Sequence, residues 1–485
     1  MKFFYLFVLL FYTISLSLFS QVPATEVRAV WLTTNWGLDW PAEKKGVAEQ
    51  KRELQRLLDE IQKDNFNVVL FQARAHGRVL YKSKIEQASP FYNSSENFDP
   101  LAFAVAECHK RGLECHAWLV TYPMEKATVR YTGKGKRRKA VVVKDKPDHY
   151  KEIGGRWYLD PGRPETRKHL MGIVKEIVSK YDVDGIHFDY IRYPSNTMKF
   201  PDEDSYKRYG KGTNLHDWRR QNITQLVSDI YDEVKSLKKW VQVSSSPLGR
   251  YKPLPGAAQN DGWTAYGTVF QDAGGWMKLG KHDLLFPMMY HRGRYFYPYL
   301  DDWMANSNGR IVVPGLGVYQ MDELNWSLSD IVDQMKYTRA KKVSGQSYFR
   351  TRNILGNLKG IRDSIRTFYP TPSKLPPLTW LDNEAPNSPV DLQVYKDKRG
   401  NLNITWEAPD NTEGFTYNVY ASATEDFDKE DPNFILATGI RSNSYSFPVS
   451  TGDFGFYYFV TASDRFHNES VVCFPAYFVH SDLKK

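Results

Sequence analysis

Cysteine is scarce: Cys108, Cys115 and Cys473 are the only three in 485 residues. Thiols this few and this scattered exclude a disulfide framework and the close ligand spacing of a structural zinc site, so packed thiols are expected. No HExxH-like pair occurs either. A metal held by His116, His187 and Asp189 is conceivable, but no motif supports it, and no metal or other cofactor is expected. No cysteine follows the N-terminal apolar run, which removes the acceptor for lipid attachment. Acidic residues do not dominate: 65 Lys and Arg against 56 Asp and Glu leave a net charge of +9. At 41% hydrophobic and 25% charged residues, disorder is not the default, and the length suits a full core and more than one domain.

The N-terminal run, "MKFFYLFVLLFYTISLSLFSQ", has one lysine, an apolar stretch and a Ser-rich end. That is the anatomy of a secretory signal over residues 1–20, cut near Ser20, which predicts an exported, periplasmic or extracellular protein that is not a lipoprotein. A retained membrane anchor competes with this reading, because the run approaches the roughly 18 to 20 residues a spanning helix needs. After signal removal no stable membrane insertion is expected. Part of the positive charge sits in "GKGKRRKAVVVKD" (133–145), which reads as a solvated loop or hairpin. It suits an anionic envelope polymer better than nucleic acid, and no nucleic-acid partner is expected.

From about 26 to 370 strand-like runs alternate with amphipathic helices. The strands read as "EVRAVWLTTNW", "NVVLFQARAHG", "LECHAWLVTYP", "DVDGIHFDYIRYP", "VQVSSSP", "DLLFPMMYH", "IVVPGLGVYQ" and "GQSYFRTRN". Eight strands separated by helices predict an α/β fold, a (β/α)8 TIM barrel with its site at the strands' C-terminal ends. Prolines over 371–385 mark a linker. Residues 386–482 turn to short alternating runs, and "LNITWEAP", "YNVYAS" and "YFVTASDRFHNES" resemble a fibronectin type III-like all-β sandwich, a module suited to contacts with other envelope proteins. A chain ending near 370 is expected to fold by itself.

In "DVDGIHFDYIRYP" alternate residues share a face, so His187 and Asp189 project together while Ile186, Phe188 and Tyr190 face elsewhere, and Pro194 ends the strand. The strand ends gather Trp36, Arg74, His76, His116, Trp118, Tyr122, His187, Arg192, Tyr193 and Tyr290 as candidate substrate-binding residues, with Gln72, His291 and Tyr319 beside them. Aromatic faces with charged hydrogen-bonders between them fit a carbohydrate, although any single ring is as readily core. Glycoside hydrolysis usually needs two carboxyl groups. Asp189 is the sharper candidate, as nucleophile or charge stabiliser. Asp272 is the second, as the acid, with a helix cap as its competing role; Asp39 and Glu125 are reserves.

"RAVWLTT", "NVVLFQARAHGRVLYKS", "HAWLVTYP", "WYLDPGRPETRKHL", "DGIHFDYIRYP" and "QDAGGWMKLGKHDLLFPMMY" together resemble the bacterial glycosyl hydrolase-like family 10. The resemblance implies a TIM barrel, export, and cleavage of peptidoglycan glycan strands, including strands denuded of stem peptides. Asp189 corresponds to the family's strand-four carboxylate, with His187 and Arg192 beside it, and Asp272 to the aspartate of its "QD" pair. The resemblance leaves open which carboxyl is the acid. A barrel that binds such a glycan without cutting it is the alternative.

Overall fold

A computed structural model describes residues 22–41, 46–92, 97–126, 128–130, 137–139, 147–194, 199–256, 262–409, 414–449 and 454–480. The expected signal, 1–20, lies outside them. Among the described residues no helix is long and apolar enough to cross a membrane.

Strands β1 (Val27–Leu32), β2 (Val68–Ala75), β3 (Glu114–Val120), β4 (Gly185–Asp189), β5 (Gln242–Ser245), β6 (Leu284–Leu285), β7 (Ile311–Val312, resumed at Gly315–Leu316) and β8 (Gly345–Tyr348) pair in parallel. The ring closes because the two halves of β7 serve different neighbours: the first pairs with β6, the second with β8, and β8 pairs with β1. Pro314 stands between the halves and has no N–H to give, yet Val313 and Gly315 still donate to Leu285 and Pro287, both at 2.8 Å. The architecture is the expected (β/α)8 barrel.

Helices α1 (Val47–Lys63), α2 (Pro100–His109), α3 (Pro164–Lys180), α4 (Leu215–Leu237), α5 (Ala273–Lys278), α6 (Tyr297–Ala305), α7 (Leu328–Ala340) and α8 (Ile361–Phe368) follow the strands in turn. Their apolar stripes, such as Leu54, Leu57, Leu58 and Ile61 of α1, meet the outward residues of the strands in one buried layer. Between β3 and α3 the chain adds a three-stranded antiparallel sheet (Pro123–Lys126, Tyr150–Ile153 and Arg156–Leu159). The basic loop contributes Arg137–Lys139, paired with Thr128–Arg130; the rest of 133–145 lies outside the described residues. All three cysteines are free and buried.

The C-terminal region is a small β-sandwich. One sheet has β9 (Val390–Lys396), β10 (Asn401–Glu407) and β13 (Ser444–Pro448); the other has β11 (Thr416–Ser422), β12 (Ile435–Ile440), β14 (Phe454–Ser463) and β15 (Ala476–His480). Leu402, Ile404, Trp406, Val419, Tyr458 and Val460 fill the space between them.

This sandwich sits against the N-terminal end of the barrel, and the segment before it is packed. Leu378, with no exposed surface, joins Val27, Ala29, Val68, Leu70, Leu284 and Ile311 inside the barrel, with Phe466 and Trp380 against the same cluster. Ion pairs cross the junction, among them His467 Nε2 to Glu114 at 2.7 Å, Arg441 to Asp184 at 2.7 Å and Arg465 to Asp182 at 3.1 Å. Backbones also meet, and a Cβ on Gly112 would lie 2.4 Å from the Thr438 carbonyl. Such a floor argues against a barrel that is complete at 370.

Candidate active site

Alternation along the strands sorts the candidates before any chemistry is considered. On β4, Ile186 and Phe188 join the layer beneath the helices, while His187 and Asp189 point inward. The strand ends at Asp189, five residues before Pro194. There Tyr190 takes a left-handed conformation, φ +50°, and its ring turns onto the rim, 41% exposed, instead of facing away as strict alternation requires. Trp36 (φ +58°) and His76 (φ +54°) are left-handed as well, beyond β1 and β2. All three lie beyond the C-terminal ends of their strands.

Asp189 lies at the inner end of this mouth and is buried. Burial pushes its carboxyl above the ordinary aspartate range; the Arg192 charge, the Tyr190 amide and the Ser246 hydroxyl pull it back only in part. The Tyr190 N–H donates to Oδ1 at 2.7 Å. Trp118, buried, stands close by and also favours the charged form of Asp189, although no hydrogen bond of ordinary geometry joins them. Tyr290, Tyr319 and Phe349 form a triangle of rings 5.4 to 5.8 Å apart on the far side. Asp189 and Tyr190 both add to the burial that drives the Tyr290 hydroxyl well up, which places all three at one locus.

His187 lies one layer deeper. Its Nε2 accepts from Trp31 Nε1 at 3.3 Å and its Nδ1 meets Ser244 Oγ at 3.0 Å, so neither nitrogen is left for a metal or a sugar. Burial, with His116 and His282 adding to it, holds its pKa well below the usual imidazole range. It is a neutral core histidine. Among the described residues no group of three His, Cys, Asp or Glu side chains is placed to hold a metal.

Four further candidates from the sequence are not at the mouth. Arg74 is fully buried: it holds Glu86 through Nε and Nη2, both at 2.7 Å, and the carbonyls of Val120 and Thr121, which uses its donors inside the protein. His116 sits near the floor, bonded to Glu114 at 3.0 Å with its ring packed over Gly185. Tyr122 and Tyr193 are buried in the layer beneath the helices, Tyr193 against Phe200 and Phe270. Their places near strand ends were legible in the sequence; the face each presents was not.

Trp36 does stand at the mouth, 58% exposed, edge-on to Phe91. Gln72 fixes its loop by accepting at Oε1 from Thr33 Oγ1 and from the Thr34 and Asn35 amides, at 2.7 to 2.9 Å. His76 bonds Arg156 at 2.9 Å, and burial with the Arg156 charge lowers its pKa to about 3. Arg192 lies over the Tyr190 ring, 4.5 Å from its centre.

Asp272 caps α5, accepting from the Gly275 amide at 3.2 Å and from the Tyr251 hydroxyl. Both bonds fall on Oδ1, so the capping role is the one the geometry shows. Asp39, whose carboxyl burial pushes up to about 6, is spent on the Thr33 and Arg352 amides at 2.7 and 2.9 Å and ties the loops after β1 and β8 together. Glu125 pairs with Arg78. Tyr190, Ser246 and Phe349 were not singled out in the sequence. Ser246 and Phe349 each follow a strand whose inward register, once known, would have named them, whereas Tyr190 leaves the register of β4 through its left-handed turn.

A (β/α)8 barrel whose C-terminal mouth holds a buried carboxyl beside the exposed rings of Tyr190 and Trp36 has the layout of a carbohydrate-active barrel. The chain belongs to the glycosyl hydrolase-like 10 family, which matches residues 26–314. It is 32% identical over 474 residues to the glycosyl hydrolase YngK of Bacillus subtilis (strain 168), covering 92% of each chain. To the glycosyl hydrolase DigH of Escherichia coli (strain K12) it is 30% identical over 352 residues, covering 65% of this chain and 80% of DigH. Among solved structures, the PgaB (BpsB) glycoside hydrolase domain from Bordetella bronchiseptica aligns with 71% of this chain and 99% of its own, at 14% identity and a TM-score of 0.49, a likeness too loose to carry an argument. The family and these relatives support a glycan hydrolase.

Proposed function

We propose that this protein is an exported glycoside hydrolase acting on a cell-wall glycan, namely peptidoglycan glycan strands, including strands without stem peptides. The observation that carries the reading is Asp189, a buried carboxyl at the end of β4 with its pKa pushed up, lying among Tyr190, Tyr290 and Trp118. A raised pKa suits a group that must hold a proton until it is given to the leaving glycosidic oxygen. Trp36, Tyr190 and Tyr290 offer ring faces to sugar C–H surfaces. Asp272 is not given the acid role, because its Oδ1 caps α5 and accepts from the Tyr251 hydroxyl. Support for export is the N-terminal run, and the three-plus-four strand sandwich supports a fibronectin type III-like module.

The test is reducing-end release from denuded and intact glycan strands by the parental protein and by Asp189→Asn. The substitution keeps the shape and removes the titratable carboxyl. Turnover is expected to fall at least about a hundredfold, roughly 2.7 kcal/mol of barrier. An Asp189→Asn protein that cuts at the parental rate moves the site elsewhere. A barrel that binds glycan without cutting is the second reading, favoured by the engagement of Asp272 as a cap. It predicts no new reducing ends from either strand.

A further inference from the structure

A buried guanidinium with nothing to answer it is costly, and one stands beside Asp189. Arg192 is 8% exposed, its Nε is buried without a hydrogen-bond partner, and its plane lies over the Tyr190 ring. Asp189 feels its charge, but no hydrogen bond or ion pair joins Arg192 to a carboxylate among the described residues. Arg156 approaches from the added sheet. It bonds the His76 ring, which carries no charge, and the Met124 carbonyl at 3.0 Å, so its positive charge is not neutralised there. Tyr158 and Tyr190 both lie within the reach of the two guanidiniums. Arg192 and Arg156 thus converge on Tyr158 and Tyr190 beside Asp189, with no ion pair from either to a carboxylate among the described residues.

We propose that Arg192, assisted by Arg156, forms a carboxylate-binding subsite next to Asp189 and selects glycans that carry an acidic substituent on a sugar at the site. The proposal rests on the reading of the mouth as a glycan site and adds the chemistry by which it chooses. A guanidinium suits this task because its fork meets both carboxylate oxygens, whereas an ammonium meets them as a point charge. Two kinds of carboxylate fit the description: that of a lactyl ether on a hexosamine, as on peptide-free cell-wall glycan, and that of a uronic acid.

Equilibrium binding to the full-length protein tests the proposal, with Asp189→Asn as the common background so that bound strands stay whole. The probes are a denuded peptidoglycan tetrasaccharide, the same tetrasaccharide with its carboxylates converted to amides, a chitin tetrasaccharide, and a hyaluronan tetrasaccharide. At least one acidic probe is expected to bind about tenfold or more tightly than the neutral ones. The lactyl and uronic arms tell which carboxylate is preferred. Adding Arg192→Gln should bring the ratio close to one, and Arg192→Lys should restore part of it; thermal melting of each variant confirms that it is folded. Equal affinity for acidic and neutral probes overturns the proposal, as does a ratio that survives Arg192→Gln. If the background still releases reducing ends, the same ratio is read from KM. Cleavage of the four probes by the parental protein is scored separately, so a failure of the hydrolase reading shows as missing reducing ends while the binding ratio still answers the question of selectivity.

Discussion

His467 is the residue whose loss should most clearly expose how the two parts of the protein hold together. Its Nδ1 faces the Pro376 carbonyl at 3.0 Å and its Nε2 faces Glu114 Oε1 at 2.7 Å. Both partners only accept, so both ring nitrogens carry hydrogen and the side chain is an imidazolium. Burial alone lowers its pKa, but the Glu114 charge and the two hydrogen bonds outweigh burial and leave it raised, with Asp184 adding to the effect. Glu114 mirrors this: burial would lift it, and His467 with His116 hold it well below the usual range. Gln242 also donates to Glu114, and Arg441 answers Asp184. Since the His467 side chain is only 13% exposed, His467→Gln breaks a buried pair and should cost about 3 kcal/mol, the lower end of the range for such losses. The pH dependence follows from the signs. A raised histidine pKa gives stability that is complete below the unfolded value of about 6.5 and is lost as pH rises through the folded value, whereas the depressed Glu114 gives stability lost only as pH falls through its own low value. Urea unfolding of parent and variant at pH 6 and pH 9 is the assay, with a gap of about 3 kcal/mol at the lower pH that narrows at the higher. A gap of the same size at both pH values, or none at either, refutes the charged-pair reasoning.

Three other expectations concern the barrel. A chain ending at 370 loses Leu378 and Phe466 from the barrel floor, and His467 and Arg441 from Glu114 and Asp184, so it should be insoluble or melt well below the full chain; a soluble truncation with the parental melting temperature would show the floor to be dispensable. Asp272→Ala should cost about 1 kcal/mol through loss of the α5 cap while Asp272→Asn costs less, both retaining turnover per folded molecule, as measured by melting and reducing-end release. Asp189→Asn should melt no lower than the parent at pH 7. A buried acid with a raised pKa contributes its stability below the unfolded value of about 3.9 and loses it as pH rises through the folded one, so the variant's advantage should vanish in melts near pH 3.

Periodicity was enough to read the barrel because each of its strands alternates with an amphipathic helix, and β7 was read as one strand despite Pro314 because its apolar run continues past it. The site was half legible. Trp36, Asp189, Arg192 and Tyr290 belong to the mouth, whereas Arg74 and His116 sit near strands that do reach it but spend their polar atoms on Glu86 and Glu114. Which face a residue takes at a strand end depends on where the strand stops. The left-handed turn at Tyr190 is a single backbone choice that no spacing rule encodes. The floor was not legible either, since Leu378 sits among prolines that read as a linker and its burial depends on a sandwich whose contacts are far away in sequence.

The placement of Leu378 and Phe466 also sets an order of assembly. All eight barrel strands leave the ribosome before either residue does, and chains emerge at only about 5 to 20 residues per second. For that interval the barrel has its wall but not its floor, with Val27, Val68, Leu284 and Ile311 still uncovered. The nascent protein is thus kept short of its finished form until its last strands are made.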